Sequence, residues 1–343
     1  MRVSVQWMTI LNITPDSFSE EAPLLREDTS VKLAQVLAQA QRQLEAGATV
    51  LDVGAESTRP EAIPVTWQEE LARLMPVLEM LHAHFPETLL SVDTRKPSVA
   101  QAVLETGWVH WINDVSGGQY HQQTSHAPQS SPAMATILAT HYHRLMAEAK
   151  AKFRYVLTHS QGTPQTMQHA PTYREGQCCE EVATFLATQA LELHTVYHLP
   201  LQTLWFDVGF GFGKTFEHNL ALLEGLEGMA HLIQARFEAA GVLTPDVRRM
   251  FQTRFPWLVG VSRKSMLVGG YPSVMPSCTS QPSTPSLREI PPPPHHPTRE
   301  LLTAVAHTIA WQQGVRCFRV HDVSAHYPTG VFMQSLTTPR FSP

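Results

Sequence analysis

Polar and charged residues stand at the carboxyl ends of eight short apolar segments of this chain. They are Asn12, Asp52, Asp93, Asn113, Asp114, His159, Asp207, Arg263, Lys264, Arg319, His321 and Asp322. Each one taken alone is most simply explained as a residue that ends a strand or caps a helix. Acids, amides and cations gathered in one place would instead form a site for an anionic or hydrogen-bonding ligand. Their function therefore depends on whether the fold brings them together.

The eight apolar segments have the length and composition of buried strands. Short runs rich in Val, Ile, Leu and Trp are typical of strands that are buried on both faces, as in parallel sheets. The predicted strands are Trp7–Ile13, Thr49–Gly54, Leu89–Thr94, Trp111–Ser116, Tyr155–Ser160, Leu204–Gly209, Trp257–Ser262 and Cys317–Asp322.

Helical patterns lie between these strands. Leu33, Leu37, Ala40 and Leu44 recur at a spacing of three or four residues, and Gly47 can end that helix. Similar patterns cover Trp67–Phe85, Ser98–Gly107, Glu180–His198 and Arg299–Gly314.

The alternation of strands and helices predicts βαβ units with right-handed crossovers. Eight such units favour a closed (β/α)₈ TIM barrel of the α/β class over an open doubly wound sheet. The open sheet would carry a G-x-G-x-x-G turn after its first strand, and the sequence has none there. We therefore predict a single TIM-barrel domain over residues 1–343, with a site at the carboxyl ends of its strands.

Three segments depart from this alternation. Gln119–Ala133 is expected to lengthen the loop after the fourth strand, and Gly225–Pro256 to add a second helical piece before the seventh. Residues 272–297 are dense in Pro and Ser, which predicts an extended or disordered insertion within the domain.

The composition argues against several classes of protein. Apolar residues make up 43% of the 343 residues and charged residues 16%, so the chain can bury a large core. With 25 Lys and Arg against 30 Asp and Glu, the net charge of −5 disfavours a nucleic-acid or anionic-membrane partner. No apolar run reaches the roughly 18–20 residues that span a bilayer, and the first residues do not resemble a signal peptide. The 4 Cys form no C-x-x-C pair, which suggests a reducing compartment, so we expect a cytoplasmic protein.

The segments around the strand ends resemble the dihydropteroate synthase family, motif by motif and in the same order. The matching segments are I-L-N-I-T-P-D-S-F-S (Ile10–Ser19), D-V-G-A-E-S-T-R-P (Asp52–Pro60), S-V-D-T-R-K-P (Ser91–Pro97), I-N-D-V-S-G-G (Ile112–Gly118), H-S-Q-G-T-P-Q-T-M-Q (His159–Gln168), F-D-V-G-F-G-F-G-K-T-x-x-H-N-L (Phe206–Leu220), G-V-S-R-K-S-M (Gly260–Met266) and R-V-H-D-V (Arg319–Val323). Eight such motifs in order make a highly specific signal. The resemblance implies a sulfonamide-targeted transferase of folate biosynthesis. That enzyme joins 4-aminobenzoate to the diphosphate ester of 6-hydroxymethyl-7,8-dihydropterin and releases diphosphate.

The resemblance also implies which residues bind the pterin. Asp207 would accept hydrogen bonds from its amino and ring N–H groups, and Asn113 and Asp93 would complete the hydrogen bonds. Lys264 would lie on the carbonyl side, and Phe212 would complete the pocket. Buried polar partners of this kind discriminate strongly, because an analogue that lacks the matching groups leaves them unpaired.

The implied diphosphate ligands are Arg59, Arg319 and His321, with Asn12 as the protein ligand of a Mg²⁺ that bridges the phosphate oxygens. Arg suits forked contact with phosphate, and Mg²⁺ takes few protein ligands. Departure of diphosphate would leave a pterin-methylene cation that the amine attacks, so catalysis would depend on positioning and electrostatic stabilisation. The residues assigned to catalysis are Lys264, Asp207, Arg59, Arg319 and His321.

The implied 4-aminobenzoate pocket is formed by the residues Thr58, Arg59, Pro60, Ser265 and Phe212. The long segments Thr14–Asp28 and Ala55–Thr66 would close over the site and exclude water from the reactive cation. The family further implies a homodimer formed through the last helices.

Three other functions stay open at this point. A metal-dependent barrel hydrolase could use His159, Asp207 and His321, although the first strand lacks the H-x-H pair that such enzymes generally need. An inert barrel could act as a binding module through residues 272–297. A pteridine-binding methyltransferase could use the same barrel without consuming a diphosphate ester.

Overall fold

The computed structural model consists of alternating strands and helices. The described residues are 5–14, 32–57, 63–120, 133–147, 152–162, 166–167, 171–268 and 296–336. The strands are β1 (Gln6–Asn12), β2 (Val50–Gly54), β3 (Leu89–Asp93), β4 (Trp111–Asp114), β5 (Arg154–Thr158), β6 (Leu204–Asp207), β7 (Leu258–Val259) and β8 (Cys317–Val320). The helices are α1 (Leu33–Glu45), α2 (Trp67–His84), α3 (Pro97–Glu105), α4 (Met134–Ala147), α5 (Cys178–Thr195), α6 (Phe216–Glu224), α7 (Leu226–Ala239), α8 (Pro245–Thr253), α9 (Pro297–Gln312) and α10 (Val323–Leu336).

The strands form one parallel barrel. Their order in the sheet is β6-β5-β4-β3-β2-β1-β8-β7. A bridge between Phe206 and Trp257 joins β6 to β7, and the Phe206 N–H donates to the Pro256 carbonyl at 2.9 Å. The predicted (β/α)₈ TIM barrel of the α/β class is therefore confirmed.

The seventh strand is the least accurate of the strand predictions. The sequence predicts Trp257–Ser262, whereas the ladder holds only Leu258–Val259. The chain leaves the sheet early because the Val261 carbonyl already accepts the Lys264 N–H in a turn, at 3.1 Å. This turn carries Lys264, which is assigned to the site.

Two segments outside the regular alternation contain more helix than the sequence indicates. Residues 225–256 hold both α7 and α8, and Thr244 caps α8 ahead of a proline at its first position. Of the loop predicted at residues 119–133, residues 121–132 lie outside the described residues, and α4 follows it.

The predicted insertion at 272–297 falls almost entirely outside the described residues, which resume at His296. His296 caps α9 by accepting the Thr298 N–H at 3.2 Å, and Pro297 opens the helix. The end of the proposed insertion is therefore a helix start, because proline already has the backbone angle that a first helical residue needs.

The barrel interior is closed at its amino-terminal end by an apolar layer that takes one side chain from each strand. The members of this layer are Met8, Val50, Leu89, Trp111, Val156, Trp205, Leu258 and Cys317. A second and larger apolar core lies between the strands and the helices, and includes Leu11, Val53, Phe206 and Phe318. No helix within the described ranges has the length and hydrophobicity required to span a lipid bilayer.

Candidate active site

The barrel interior becomes polar just above the apolar layer. Every second residue of a strand points to the same side, so the residue two positions after each apolar-layer member also faces inward. On six of the strands that residue is polar. The six residues are Asp52, Ser91, Asn113, Thr158, Asp207 and Arg319.

Asp52 connects three strands at this level. Its Oδ2 atom accepts a hydrogen bond from Asn113 Nδ2 at 3.1 Å and one from Arg319 Nε at 2.6 Å. Arg319 Nη2 donates in turn to Asp93 Oδ2 at 2.6 Å. One guanidinium thus lies between two carboxylates, and this arrangement fixes its direction.

Burial disfavours the charged form of Asp93, which binds the other end of this guanidinium. Burial raises its pKa to about 7, although Arg319 opposes the change, and the nearby negative charge of Asp52 adds to it. The guanidinium of Arg319 gains from the same arrangement, since Asp52 and Asp93 outweigh the effect of burial and raise its pKa. We expect Arg319 to be charged in every state of the site.

Several polar atoms of the same layer have no hydrogen-bond partner among the described residues. They are Asp52 Oδ1, Ser91 Oγ and Thr158 Oγ1, all buried. Ser91 is paired in register with Asp52, and Thr158 with Asp207. Buried polar atoms in folded proteins are nearly always paired, so this layer is suited to a ligand with several donors and acceptors.

Asp207 is held in place by the backbone that follows it. Its Oδ1 accepts the Gly209 N–H at 2.8 Å, and the residue is 7% exposed. Burial raises the pKa of this carboxyl, while Lys264 opposes the change. Oδ2 lies 3.9 Å from the position that a Cβ on Gly260 would take, so it faces the gap between β6 and β7.

Lys264 brings a cation next to Asp207. Its Nζ donates to the Phe210 carbonyl at 2.6 Å and lies 4.5 Å from the centre of the Phe212 ring. Burial lowers the pKa of Lys264 to about 8, although Asp207 opposes the change. Ser265, the next residue, is exposed at the start of a short 3₁₀ helix (Ser265–Val268).

The glycine-rich segment after β6 packs directly against the backbone that follows β5. Gly209 has a φ of +68°, and a Cβ there would come within 1.9 Å of the His159 carbonyl oxygen. Lys214 joins the two segments: its Nζ donates to His159 Nδ1 at 3.0 Å and to the Phe212 carbonyl at 3.0 Å. Lys214 lies within one of the quoted motifs but has no predicted role, and here it fixes the segment after β6 that carries Phe212.

His321 follows β8 and is bound by Ser262. Ser262 Oγ lies 3.0 Å from His321 Nδ1 and accepts the His321 backbone N–H at 3.3 Å. Burial, together with the charges of Arg263 and Arg319, lowers the pKa of His321 to about 3, so the ring is neutral near pH 7. Because Ser262 Oγ already accepts the backbone N–H, its own proton is available for Nδ1, which leaves the proton of the ring on Nε2.

Asn12 ends β1 at the level of Asp93. A Cβ on Gly54, the residue between them in the sheet, would lie 3.3 Å from Asn12 Oδ1 and 3.8 Å from Asp93 Oδ2. The absence of a side chain at Gly54 therefore leaves a small space lined by two oxygen atoms. Across the described ranges, no three His, Cys, Asp or Glu side chains are grouped closely enough to hold a metal ion.

Some of the polar residues at the strand ends do not face the mouth, so the fold brings together only part of that set. Asp114 points outward and accepts bonds from Ser116, Gly118 and Tyr155 OH, because it is one residue out of phase with Asn113. Asp322 accepts the Ser324 N–H at the start of α10.

His159 and Arg263 likewise point away from the barrel axis. The His159 ring packs edge-on against Phe185 of α5 at 4.9 Å, and its carbonyl and ring contact Lys214. Arg263 pairs with Glu300 of α9. A hydrolase site built from His159, Asp207 and His321 is therefore not formed by these residues.

The segment that carries Thr58, Arg59 and Pro60 lies outside the described residues, but its two flanks are tied together. Glu56 pairs with Arg95 at 3.0 Å and with Lys96 at 2.8 Å, and its Oε1 accepts the Val65 N–H at 3.4 Å. Burial would raise the pKa of Glu56, but Lys96 and Arg95 outweigh it and lower the pKa. Lys96 also pairs with the buried Glu70 at 2.5 Å. Glu56, Arg95 and Lys96 lie within two of the quoted motifs, but the sequence pattern does not predict that they form an ion-pair group.

Comparisons with known proteins give this geometry a family. The profile of the pterin binding enzyme family matches residues 8–321. The dihydropteroate synthase of Escherichia coli (strain K12) is 34% identical over 316 residues, which cover 92% of this chain and 86% of that protein.

Solved structures give the same result. The Yersinia pestis dihydropteroate synthase, in complex with a sulfonamide drug, has a TM-score of 0.70 and 31% identity over 97% of this chain and 94% of that chain. The Burkholderia cenocepacia dihydropteroate synthase, complexed with 7,8-dihydropteroate, has a TM-score of 0.67 and 29% identity over 97% of this chain and 91% of that chain. The chain therefore belongs to the pterin binding enzyme family, among the dihydropteroate synthases.

Proposed function

We propose that this protein joins (7,8-dihydropterin-6-yl)methyl diphosphate to 4-aminobenzoate, giving 7,8-dihydropteroate and diphosphate. The C–O bond of the ester breaks and its electron pair leaves with diphosphate. The amine of 4-aminobenzoate forms the new C–N bond and releases one proton to the solvent. This is a transferase step of folate biosynthesis.

The observation that carries this proposal is the polar layer above the apolar floor of the barrel. A pterin is a flat heterocycle with N–H donors along one edge and a carbonyl beside them. Asp207 offers a carboxylate to the donors, and Lys264 offers an ammonium to the carbonyl, with Asn113 on the neighbouring side of the layer. The unpaired oxygens of Asp52, Ser91 and Thr158 would gain partners from such a ring.

We assign the diphosphate to the rim beside Asp93. Arg319 has a fixed direction there because Asp52 and Asp93 hold two of its N–H groups. His321 can add one neutral N–H donor from Nε2. Since the two carboxylates already balance the charge of Arg319, a multiply charged leaving group needs further cations, which fits a role for Arg59.

The residues next to Gly54 fit a Mg²⁺ ion that is held mainly by the diphosphate and by water. Asn12 Oδ1 is a hard oxygen donor at the edge of the space beside Gly54, and Asp93 Oδ2 lies at its other edge. Mg²⁺ keeps several waters and needs few protein ligands, so one amide oxygen is sufficient as an anchor. When bound, the ion would neutralise charge that builds up on the departing diphosphate.

The described residues that suit the 4-aminobenzoate site are Phe212 and Ser265. Phe212 is partly exposed and presents a ring face beside Lys264, and Ser265 offers a hydroxyl and a backbone N–H at the start of the 3₁₀ helix. Thr58, Arg59 and Pro60 complete this part of the proposal. A sulfonamide would compete with 4-aminobenzoate at this position.

The chemistry depends on positioning and electrostatic stabilisation. Arg319, His321 and Lys264 are fixed by hydrogen bonds before any substrate binds, so their reorganisation during the reaction costs little. Loss of diphosphate leaves a cation on the pterin-methylene carbon, and the neighbouring carboxylates Asp93 and Asp207 favour that charge. The amine then attacks the cation without a covalent intermediate on the protein.

We also propose that the protein forms a homodimer through α9 and α10. These helices expose Leu301 (66%) and Phe332 (60%), together with Val305, Tyr327 and Val331. Two adjacent helices that expose this much apolar surface are typical of an interface between copies of a chain. Light scattering should give twice the chain mass for the natural protein and the chain mass for Phe332→Asp, and a natural monomer would refute the proposal.

The cytoplasmic location stays a prediction.

The reaction is tested by mixing the purified protein with the pterin diphosphate ester, Mg²⁺ and 4-aminobenzoate. We expect diphosphate release that depends on both organic substrates, with one 7,8-dihydropteroate, identified by mass, formed per diphosphate. Lys264→Ala and Arg319→Ala should each abolish turnover, whereas Asp322→Asn, which changes a helix cap outside the mouth, should not. Diphosphate release at a rate that does not depend on 4-aminobenzoate would contradict the proposal.

A further inference from the structure

Lys264 follows a residue with an unusual backbone. Arg263 has a φ of +60°, a left-handed conformation that residues other than glycine adopt rarely. Because of this conformation, the side chains of Arg263 and Lys264 point in different directions. Arg263 extends toward α9, while Lys264 reaches the Phe210 carbonyl inside the mouth. The conformation of Arg263 therefore determines where the Lys264 ammonium lies.

One turn of α9 holds Arg263 at three points. Arg263 Nε donates to Glu300 Oε1 at 2.5 Å, Arg299 Nη1 donates to the Arg263 carbonyl at 2.9 Å, and the Arg263 N–H donates to Thr303 Oγ1 at 3.4 Å. Thr303 is completely buried, and Arg263 is 7% exposed. Side chain, carbonyl and N–H of the same residue are thus all fixed by one helix.

Glu300 extends this contact to the next helix. Its second oxygen, Oε2, lies 2.9 Å from His326 Nε2 of α10. Glu300 consequently ties α9 and α10 to the turn that precedes Lys264. A cation and a ring N–H on opposite sides fix the carboxylate in one orientation, which a hydrophobic contact would not do.

We infer that Glu300 and Arg263 are positioning residues. Glu300 holds Arg263 in its left-handed conformation, and that conformation sets the Lys264 ammonium against the pterin site. The inference deepens the proposed function and relies on it only for the role of Lys264 in pterin binding. The residues act from outside the barrel, on the helix layer, and touch no substrate. A small displacement of a positioned group greatly reduces binding affinity and rate. Substitution of these residues should therefore have a large effect on pterin binding even though they are remote from the site.

The first measurement is the acetylation rate of Lys264 by acetic anhydride, quantified for each lysine by peptide mass spectrometry. It needs no substrate, so it is valid whether or not the proposed function is correct. In Glu300→Gln we expect the Lys264 rate to rise about fivefold, since local loosening exposes an amine that is now held against Phe210. Lys152, which is exposed and far along the chain, should react at its original rate.

The control variant is His307→Leu. His307 lies on the same helix as Glu300 and is completely buried beside His326, and its contacts within the described part of the chain are with rings rather than with Arg263. It should leave the Lys264 rate unchanged, even if its melting temperature differs from that of the natural protein. If Glu300→Gln does not fold, Thr303→Val removes the hydroxyl that accepts the Arg263 N–H and donates to the Arg299 carbonyl within α9, and it should raise the rate in the same direction by a smaller factor.

The second measurement is the equilibrium binding of the pterin diphosphate by fluorescence. Glu300→Gln should weaken it about tenfold, and Glu300→Asp, which keeps the carboxylate, should recover part of the loss. A Lys264 acetylation rate in folded Glu300→Gln equal to that of His307→Leu would overturn the inference. If the natural protein bound no pterin while the acetylation rates changed as expected, the proposed function would fail and the positioning role would stand.

Discussion

Arg319 of β8 and Asp52 of β2 share a hydrogen bond of 2.6 Å inside the barrel, although 267 positions separate them in the chain. The strand β1 lies between their strands, so the pair joins an early and a late part of the chain across one intervening strand. Asn113 shares the same carboxylate oxygen, and Asp93 binds the other end of the guanidinium. The group of four therefore connects β2, β3, β4 and β8 at the level of the proposed pterin site.

This group should contribute to stability as well as to binding. In Asp52→Ala, Arg319 keeps only Asp93, and Asn113 Nδ2 loses its acceptor. We expect the free energy of unfolding to fall by about 2 to 4 kcal/mol, measured with urea, because removal of one partner leaves a buried charge incompletely paired. Thr9→Val is the control, since Thr9 is completely buried with no hydrogen-bond partner for Oγ1 among the described residues. A loss for Asp52→Ala as small as that of the control would contradict this role.

Lys214 should make stability depend on pH. Burial lowers its pKa to about 7, below the 10.5 of an ordinary lysine, although Cys178 and Asp207 oppose the change. Because the pKa of Lys214 is lower in the folded state than in the unfolded state, the folded state is most stable above pH 10.5, where both forms are neutral. It loses this stability as the pH falls toward 7.

The test compares the pH dependence of the melting temperature in the natural protein and in Lys214→Met. The variant should lack the part of the slope between about pH 10 and about pH 7 that Lys214 causes, whatever its absolute stability. Lys152→Met, at an exposed position, controls for the loss of a lysine. Parallel curves for the natural protein and Lys214→Met would show that burial does not lower the pKa of Lys214.

Ser262 should fix the tautomer of His321. In Ser262→Ala the ring loses the hydroxyl proton at Nδ1, so the tautomer with the proton on Nε2 is no longer enforced. We expect the KM for the pterin diphosphate to rise about three- to tenfold, while affinity for the pterin without diphosphate stays unchanged. Nitrogen NMR of the imidazole should show the change of tautomer, and Ser262→Thr should restore both properties. Equal weakening of both pterin ligands would contradict a diphosphate role for His321.

The sequence predicts the fold well because the physical signal is periodic. Apolar strands and amphipathic helices repeat along the chain, and each predicted strand segment contains a strand. The same periodicity separates Asn113, which faces inward, from Asp114, which faces the helices. A strict count of two along β4 would have made that assignment from sequence.

Other parts of the site depend on contacts that no local pattern contains. The Arg263 side chain turns toward α9 because Arg263 has a left-handed backbone conformation and because it pairs with the Glu300 carboxylate, 37 positions away. Lys214 and Ser262 acquire their roles from strand ends that come together only in the closed barrel. Residues 58–60 lie outside the described residues, so the roles predicted for Thr58, Arg59 and Pro60 stay predictions.

The most direct test of the account is the affinity of the barrel for the pterin in Asp207→Asn compared with Asp114→Asn, measured by fluorescence titration. Both carboxylates are buried at a strand end, but only Asp207 faces the mouth, while Asp114 accepts bonds from a turn and from Tyr155. We predict that Asp207→Asn weakens pterin binding about 100-fold with little change in melting temperature, and that Asp114→Asn lowers the melting temperature and leaves binding within about twofold. Equal pterin affinity in Asp207→Asn and the natural protein would contradict the central claim that this carboxylate recognises the pterin.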